Sequence, residues 1–271
     1  MPDITHNRKA WNRLSGPNCP WSVPVSDEQI EQARSGQFHI SLAGGSLPEA
    51  WIGDVRGQSI LCLASGGGQQ APLLAAAGAD VTVFDLSDAQ LDLDRELAQR
   101  HNLQLRIEQG SMTDLSRFAN ECFELILNPV SSCYVPDILP VWRECARILK
   151  LNGRLISGSI NPVNFLFEVN DGSDDRGLVA KHPLPYIERD VLNEAELSAA
   201  VAREMAFTWS HSLDELIQGQ ISCGMVICGF LESRRTDPRA PTLNRYTNTY
   251  ITTMAQKTCS ADRASDREES R

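Results

Sequence analysis

The chain has 271 residues, 42% of them hydrophobic, which suffices for one large α/β domain or two small ones. Its formal net charge of −10 argues against a dedicated nucleic-acid-binding protein, which would normally present a basic face. The sequence has no apolar stretch long enough for a transmembrane helix, and its first residues lack the pattern of a signal peptide. We therefore expect a cytoplasmic protein with no membrane or nucleic-acid partner.

Eight cysteines are spread along the chain without a C-x-x-C pair, and most of them lie in apolar segments. This distribution predicts reduced core thiols rather than a disulfide framework or a zinc site. We accordingly expect no bound metal.

The N-terminal segment, residues 1–57, is rich in tryptophan and contains Trp11, Trp21 and Trp51. Ser26 followed by Gln29 has the pattern of a capping box, which predicts a short helix ending at about Ser35. Two interpretations of the segment remain open. It is either a lid that supplies aromatic walls to a pocket, or a strap whose tryptophans pack on the core.

A glycine-rich turn at residues 64–68 follows the apolar run at residues 60–63 and precedes a helix-forming segment. Strand, tight turn and helix in this order are typical of the first unit of a nucleotide-binding α/β fold. Glycine permits positive φ and lets the backbone approach a ligand closely. The N-terminus of the helix would offer free N–H groups to that ligand.

Further apolar and β-branched runs predict six more strands, at residues 81–84, 103–107, 123–127, 155–160, 225–231 and 247–257. Helices are predicted at residues 136–150 and 213–223 among others, but none separates the last two strands, which should pair antiparallel. Helical crossovers between the other strands predict a Rossmann-like three-layer α/β sandwich. Its seven-stranded sheet should be mostly parallel, with an antiparallel last strand.

Two stretches fall outside this alternation. Residues 161–185 are polar and irregular, and we interpret them as an insertion that is too short to bury its own core. The small, charged tail at residues 259–271 is expected to be disordered.

Two cofactors suit the glycine turn. Residues 66–71 satisfy the dinucleotide pattern G-x-G-x-x-A, and Asp85 follows the second strand, where an acid would bind ribose hydroxyls. NAD and S-adenosylmethionine both need that acid, although Asp85 could instead cap the helix that Ser87 begins. A dehydrogenase would also bring a second nucleotide-binding half and a proton donor, and the sequence shows neither.

Beyond the turn, the sequence resembles the class I, Rossmann-like S-adenosylmethionine-dependent methyltransferases. The resemblance rests on motifs at residues 60–68, 81–86, 110–115 and 123–128, and on the segment 139–156. Within the family, the chain looks most like bacterial small-molecule methyltransferases of unassigned substrate. The resemblance implies a methyltransferase domain at residues 58–258, S-adenosylmethionine as cofactor and a small-molecule methyl acceptor. We expect a monomer or a homodimer.

The resemblance also implies cofactor-binding roles for Ala64, Ser65, Gly66, Gly68, Asp85, Leu86, Ser111, Met112 and Asn128. Asp85 would bind the ribose hydroxyls, Met112 would pack on the adenine, and Asn128 would lie near the methionine amino group. The chain departs from the family at three positions. Cys62 replaces a common acid, Ala64 replaces the usual first glycine, and Ser111 replaces the acid that commonly follows the glycine of the third motif.

Methyl transfer from a sulfonium is an in-line displacement, so alignment of donor and acceptor can supply most of the catalysis. A general base would help with a hydroxyl or an acidic carbon. The candidate bases are His211, Tyr134 and His39, with His211 first because it lies just before a predicted helix. A lone histidine is more often a capping or packing residue.

Two other functions remain open. One is an NAD-dependent oxidoreductase, which proton-transfer machinery beside the nicotinamide would favour. The other is a cofactor-binding module that has lost catalysis, which the absence of an acceptor pocket beside the methyl group would favour.

Overall fold

The computed structural model describes residues 2–15, 19–167, 178–235 and 242–258. The predicted tail at residues 259–271 lies outside these ranges, as does the middle of the predicted insertion. The described part of that insertion begins with a 3₁₀ turn at Pro162–Leu166.

Within the described ranges, a main sheet of seven strands follows a two-stranded hairpin. In chain order the strands are β1 (Ser41–Leu42), β2 (Gly45–Ser46), β3 (Ser59–Leu63), β4 (Asp80–Asp85), β5 (Leu105–Gln109), β6 (Phe123–Asn128), β7 (Leu149–Ile160), β8 (Met225–Ser233) and β9 (Tyr250–Lys257). The main sheet has the order β5-β4-β3-β6-β7-β9-β8. Strand β9 is antiparallel to both neighbours and the other pairs are parallel, so the predicted fold class is confirmed.

The helices of the described ranges lie on both faces of this sheet and at its carboxyl edge. They are α1 (Pro2–Arg13), α2 (Asp27–Arg34), α3 (Glu49–Ile52), α4 (Gln70–Ala76), α5 (Asp88–His101), α6 (Leu139–Ile148), α7 (Glu188–Val191), α8 (Glu194–Ala202) and α9 (Gly219–Ser222). The predicted capping box is present at the start of α2, where Ser26 and Gln29 bond each other's backbone N–H groups.

Alternate residues of the central strand β3 face opposite layers of the fold. Leu61 and Leu63 pack into a buried cluster that includes Trp142 of α6. Ile60 and Cys62 belong to a second buried cluster, to which α4 and α5 contribute. Since neighbouring side chains of a strand point to opposite faces, this arrangement produces the predicted three layers.

Strand β7 begins earlier than predicted. The sequence predicts a helix to residue 150, but α6 ends at Ile148 and Leu149 already has extended backbone, with φ −68° and ψ 135°. Leu149 is buried and pairs with Phe123 in the sheet. Tertiary pairing therefore overrides the local helical pattern at this point.

The predicted helix at residues 213–223 is interrupted. Its first part, Asp214–Gln218, is a π-helix, and the N–H of Gly219 donates to the carbonyl of Asp214. The carbonyl of Glu215, which an α-helix would pair with that N–H, accepts instead from the indole Nε1 of Trp142 at 2.9 Å. A contact between two helices thus explains the wider turn.

Gly219→Ala tests this contact, because an added Cβ would lie 2.8 Å from Leu139 and 2.9 Å from Trp142. We expect the variant to lower the free energy of unfolding by about 1 to 3 kcal/mol through overpacking, as measured by urea denaturation. Ser222→Ala is the control, since this exposed residue lies on the same helix. Equal stability of Gly219→Ala and the parent chain would contradict the described packing of α6 against α9.

Candidate active site

A cavity of about 370 Å³ lies at the carboxyl ends of the parallel strands and beneath α1. Residues that follow β3, β4, β5 and β6 line it, among them Ala64, Leu86, Ser111 and Pro129. Ligands of open α/β sheets bind at this edge, where the strand order reverses. In this sheet the strand order reverses between β3 and β6. From β3 the chain adds β4 and β5 towards one edge of the sheet, and from β6 it continues with β7 towards the other edge.

The cavity brings together most of the positions for which the sequence implies a cofactor role. Those that line it are Ala64, Ser65, Gly66, Asp85, Leu86, Ser111 and Met112. Gly68 and Asn128 are not among the lining residues. Gly68 packs against the N-terminal segment, where an added Cβ would lie 2.8 Å from Pro24.

Asn128 is completely buried and its side chain joins three neighbouring strands. Its Nδ2 donates to the Leu63 carbonyl at 3.0 Å and to Ser131 Oγ at 2.8 Å. Its Oδ1 accepts from Ser157 Oγ at 3.1 Å. These bonds hold the end of β6 against β3 and β7, and so fix the floor of the cavity.

The conformation of the glycine turn is determined by the residues that pack behind it as well as by the need to leave space for a ligand. Ala64, Gly66 and Gly68 all have positive φ, at 48°, 68° and 72°. A Cβ on Gly67 would lie 2.2 Å from the carbonyl oxygen of Gln90 in α5. Glycine at this position is therefore required by helix packing, a reason that the sequence pattern alone does not show.

Asp85 lies between the cavity and the start of α5, where Ser87 and not Asp85 is the N-cap. It lines the cavity, and its Oδ1 accepts from the Ser87 N–H at 2.8 Å while its Oδ2 accepts from the Gly66 N–H at 3.2 Å. Burial raises the pKa of Asp85 to about 6, although these N–H donors act in the opposite direction. The carboxylate thus stiffens the turn and still faces the ligand space.

Asp94 is a buried acid that the sequence analysis missed. It is 1% exposed, and its Oδ1 accepts from the Gly68 N–H at 3.0 Å. Burial raises the pKa of Asp94 to about 8, and the charge of Asp85 adds to this shift. A signal was available: Asp94 lies between Leu91 and Leu97 on the apolar stripe of its helix, where an acid is unexpected.

Two amide oxygens at the cavity have no hydrogen-bond partner within the described part of the chain. They are Oε1 of Gln70 and Oε1 of Gln90, and both residues line the cavity. Buried acceptors are normally paired, so these two oxygens suit a ligand rich in N–H and O–H donors. S-adenosylmethionine carries an ammonium group, two ribose hydroxyls and an adenine amino group.

The candidate bases lie in different places. Tyr134 lines the cavity, and burial raises its pKa well above the usual value. His211 is buried outside the lining, with Nε2 at 3.0 Å from the Ser132 carbonyl and 3.1 Å from the Val135 carbonyl. His39 is exposed, 3.8 Å from Glu49. The structure therefore brings only Tyr134 of the three to the described lining.

Helix α1 covers the cavity and is tied down at two places. Asn7 exchanges two hydrogen bonds with the backbone of Phe207, at 3.0 and 2.8 Å. Oδ1 of Asn12 accepts from Ser87 Oγ at 2.7 Å and from the Ala89 N–H at 3.3 Å, at the first turn of α5. The helix thus bridges the glycine-turn side of the cavity and the segment that precedes the π-helix.

The three N-terminal tryptophans divide between the two roles considered for them. Trp11 and Trp21 line the cavity. Trp51 packs on strand β8, where a Cβ added to Gly229 would lie 2.3 Å from its ring. Trp11 also meets Tyr134 edge to face, with ring centroids 5.0 Å apart.

Comparison with known proteins identifies the family. Residues 61–157 match a family described as "Methyltransferase domain". The uncharacterized methyltransferase YbaJ of Bacillus subtilis (strain 168) is 41% identical over 256 residues, which cover 94% of this chain and 98% of that protein. The chain belongs to the S-adenosylmethionine-dependent methyltransferases. The cofactor of this methyltransferase is therefore S-adenosylmethionine, and the NAD-dependent oxidoreductase is set aside.

Solved structures show that the methyltransferase has the fold of this family. A methyltransferase from Mesorhizobium loti has a TM-score of 0.60 at 16% identity, covering 77% of this chain and 95% of that one. A second structure is that of geranyl diphosphate C-methyltransferase from Streptomyces coelicolor A3(2), solved with Mg²⁺, geranyl diphosphate and S-adenosyl-L-homocysteine. It has a TM-score of 0.58 at 15% identity, and the match covers 95% of this chain and 98% of that one.

A more distant sequence relative has an assigned reaction. Ubiquinone biosynthesis O-methyltransferase from Alkalilimnicola ehrlichii is 33% identical over 129 residues, which cover 44% of this chain and 49% of that protein. In the described part of the methyltransferase, no helix is long and apolar enough to span a membrane.

Asp85→Asn tests the ribose-binding role that the sequence predicts for Asp85. We expect the dissociation constant of S-adenosylhomocysteine to rise by about 10- to 100-fold, because a charged acceptor contributes about 1.5 to 3 kcal/mol. Isothermal titration calorimetry measures this, with Asp80→Asn as the control because Asp80 is exposed at the other end of the same strand. An unchanged dissociation constant for Asp85→Asn would remove Asp85 from the binding site.

The two buried acids also predict how stability depends on pH. Their pKa values are raised from 3.8 to about 6 in Asp85 and to about 8 in Asp94, so the folded protein retains protons that the unfolded chain has released. The free energy of unfolding should then fall as pH rises through these intervals, by up to about 1.4 kcal/mol per pH unit for each acid. Urea denaturation from about pH 5 to about pH 8 measures the decline.

In Asp94→Asn, the free energy of unfolding should fall less steeply with pH than in the parent chain, at pH values above the pKa of Asp85. A matched decline in Asp94→Asn and the parent chain would show that Asp94 is ionised throughout the interval.

Proposed function

We propose that this protein transfers the methyl group of S-adenosylmethionine to a small, uncharged acceptor with an apolar body, by in-line displacement. The observation that carries the proposal is the composition of the cavity wall. Trp11, Trp21, Tyr134 and Tyr250 line it, together with aliphatic side chains. Among the lining residues that the structure describes, Asp85 is the only ionisable residue apart from the tyrosines.

The size of the cavity supports a small acceptor. Its volume of about 370 Å³ is near the lower end for ligand pockets, and the cofactor has to share it. In this proposal α1 and the segment around Trp21 form the lid part of residues 1–57, since Trp11 and Trp21 line the cavity whereas Trp51 packs on β8.

The charge of the site disfavours an anionic acceptor. A buried carboxylate or phosphate would need a counter-ion, and near Asp85 it would meet a like charge. Arg235 stacks on Trp21, with its guanidinium 4.8 Å from the ring centroid, but it does not line the cavity. The described residues also contain no group of three or more His, Cys, Asp or Glu side chains that could hold a metal for a diphosphate.

Catalysis in this proposal comes from alignment and not from a side-chain base. Tyr134 is protonated at neutral pH because burial raises its pKa, so it can donate a hydrogen bond but cannot accept a proton. His211 is held by two backbone carbonyls away from the cavity. An acceptor atom that is nucleophilic without prior deprotonation, such as the sulfur of a thioether or the nitrogen of an uncharged amine, suits this site. The transfer would leave a sulfonium or a protonated methylamine, and neither product needs a base in the site. In-line placement about 3 to 3.5 Å from the methyl carbon then supplies most of the rate.

Matched acceptor pairs test the proposal. We expect thioanisole or aniline to raise the unfolding midpoint of the protein saturated with S-adenosylhomocysteine, because each can bury an uncharged ring against Trp11 and Tyr134. The para-carboxylates of the same compounds should give no rise. Mass spectrometry then checks for the methylated product after incubation with S-adenosylmethionine.

Trp51→Phe serves as the control for Trp11→Ala in this assay, since Trp51 packs on β8 outside the cavity. Only Trp11→Ala should weaken the response to the neutral ring. Preferential binding and methylation of the carboxylates would contradict an uncharged acceptor.

A further inference from the structure

Two buried carboxyl groups hold the glycine turn, one from the front and one from behind. Oδ2 of Asp85 accepts from the Gly66 N–H at 3.2 Å, and Asp85 lines the cavity. Oδ1 of Asp94 accepts from the Gly68 N–H at 3.0 Å, and neither Asp94 nor Gly68 is among the lining residues. The two bonds fix N–H groups two residues apart, so between them they define the path of the turn.

We propose that Asp94 is a positioning residue for the cofactor: its carboxyl oxygen fixes the Gly68 N–H and thereby sets the shape of residues 64–68 on which cofactor affinity depends. It acts through the turn and does not touch the cofactor. The inference concerns the cofactor half of the site and does not depend on the nature of the acceptor.

The position of Asp94 in its helix shows that the acid is not needed by the helix itself. Asp94 lies in the middle of α5, far from the N-terminal turn where a carboxylate would cap free N–H groups. Its neighbours on the inner face, Leu91 and Leu97, are buried aliphatic residues. A leucine at position 94 would avoid the cost of burying a carboxyl group, and the bond to the turn is what the acid adds.

The unpaired oxygen of Asp94 strengthens this argument. Its Oδ2 is buried without a hydrogen-bond partner in the described part of the chain. An unsatisfied buried polar atom is unfavourable, so the acid at this position has a cost that another interaction must offset. Among the residues that the structure describes, the hydrogen bond that offsets it is the one to Gly68.

Charged and titratable groups around Asp94 determine its state. The charge of Asp85 raises the pKa of Asp94 and that of Arg95 lowers it, while burial makes the largest contribution and raises the value to about 8. The thiol of Cys62 on β3 faces the same acid, and its own pKa is raised by burial and by Asp94. Of the two acids, Asp94 therefore has the higher pKa and retains its proton to higher pH.

Two substitutions separate the hydrogen bond from the charge. Asp94→Leu keeps the approximate volume and removes the acceptor, whereas Asp94→Asn keeps a carbonyl oxygen and is neutral at every pH. Glu96→Gln is the matched control, because Glu96 is an exposed carboxylate on the same helix.

Titration calorimetry with S-adenosylhomocysteine at about pH 7 gives the first result. We expect the dissociation constant to rise about tenfold or more in Asp94→Leu and to stay within about threefold of the parent value in Asp94→Asn. Glu96→Gln should bind like the parent chain. Parent-like affinity in Asp94→Leu would overturn the proposal, and so would an equal loss in Asp94→Leu and Asp94→Asn.

A pH series gives a second result, which a purely structural role of Asp94 would not produce. It compares the parent chain with Asp94→Asn, so it remains valid even if Asp94→Leu does not fold. A bound cofactor excludes water from the turn and favours the uncharged form of Asp94. Affinity of the parent chain should therefore fall more steeply above about pH 8 than that of Asp94→Asn, and the titration of the ligand itself cancels in the comparison. Parallel pH profiles for the two proteins would overturn the inference.

Discussion

The close approach of the glycine turn to helix α5 is the constraint on which the rest of the site depends. The carbonyl of Gln90 lies where a Cβ of residue 67 would be, and Asp94 of the same helix bonds the next residue of the turn. Because protein interiors are close-packed, this contact leaves the turn one path. Strand β4, which ends in Asp85 just before α5, is then positioned with its carboxyl group against the turn.

The N-terminal segment completes the same arrangement from the opposite side. The Val25 N–H donates to the Gly68 carbonyl at 2.8 Å, and the carbonyl of Trp21 lies 3.3 Å from the position of a Cβ on Gly66. Gln90 connects the two sides, since its Nε2 donates to Ser22 Oγ at 2.6 Å. The turn, α5 and the N-terminal segment therefore form one packing unit, and the cavity is the space left inside it.

The sequence was sufficient for the fold and for bringing most of the predicted cofactor positions to the cavity lining, because both depend on local patterns. Alternating strands and helices, the glycine turn and Asp85 are all visible in short windows of sequence. Asp94 was missed because its role depends on which helix face meets the turn. The π-helix was missed for the same reason, since its cause is the indole of Trp142 on another helix. The sequence suggested His211 as a general base, but only the fold shows that its Nε2 lies beside two backbone carbonyls.

The bonds of helix α1 also affect when the site can form during synthesis of the chain. His6 Nε2 lies 2.7 Å from the Met205 carbonyl, and Asn7 bonds the backbone of Phe207, 200 residues later. Contacts between such distant residues form late because they require closure of a long loop. On the ribosome, docking of the first helix must therefore wait until synthesis has passed Phe207. The parallel strands that form the cavity floor are complete by Ile160, so the floor of the cavity is made well before its cover can close.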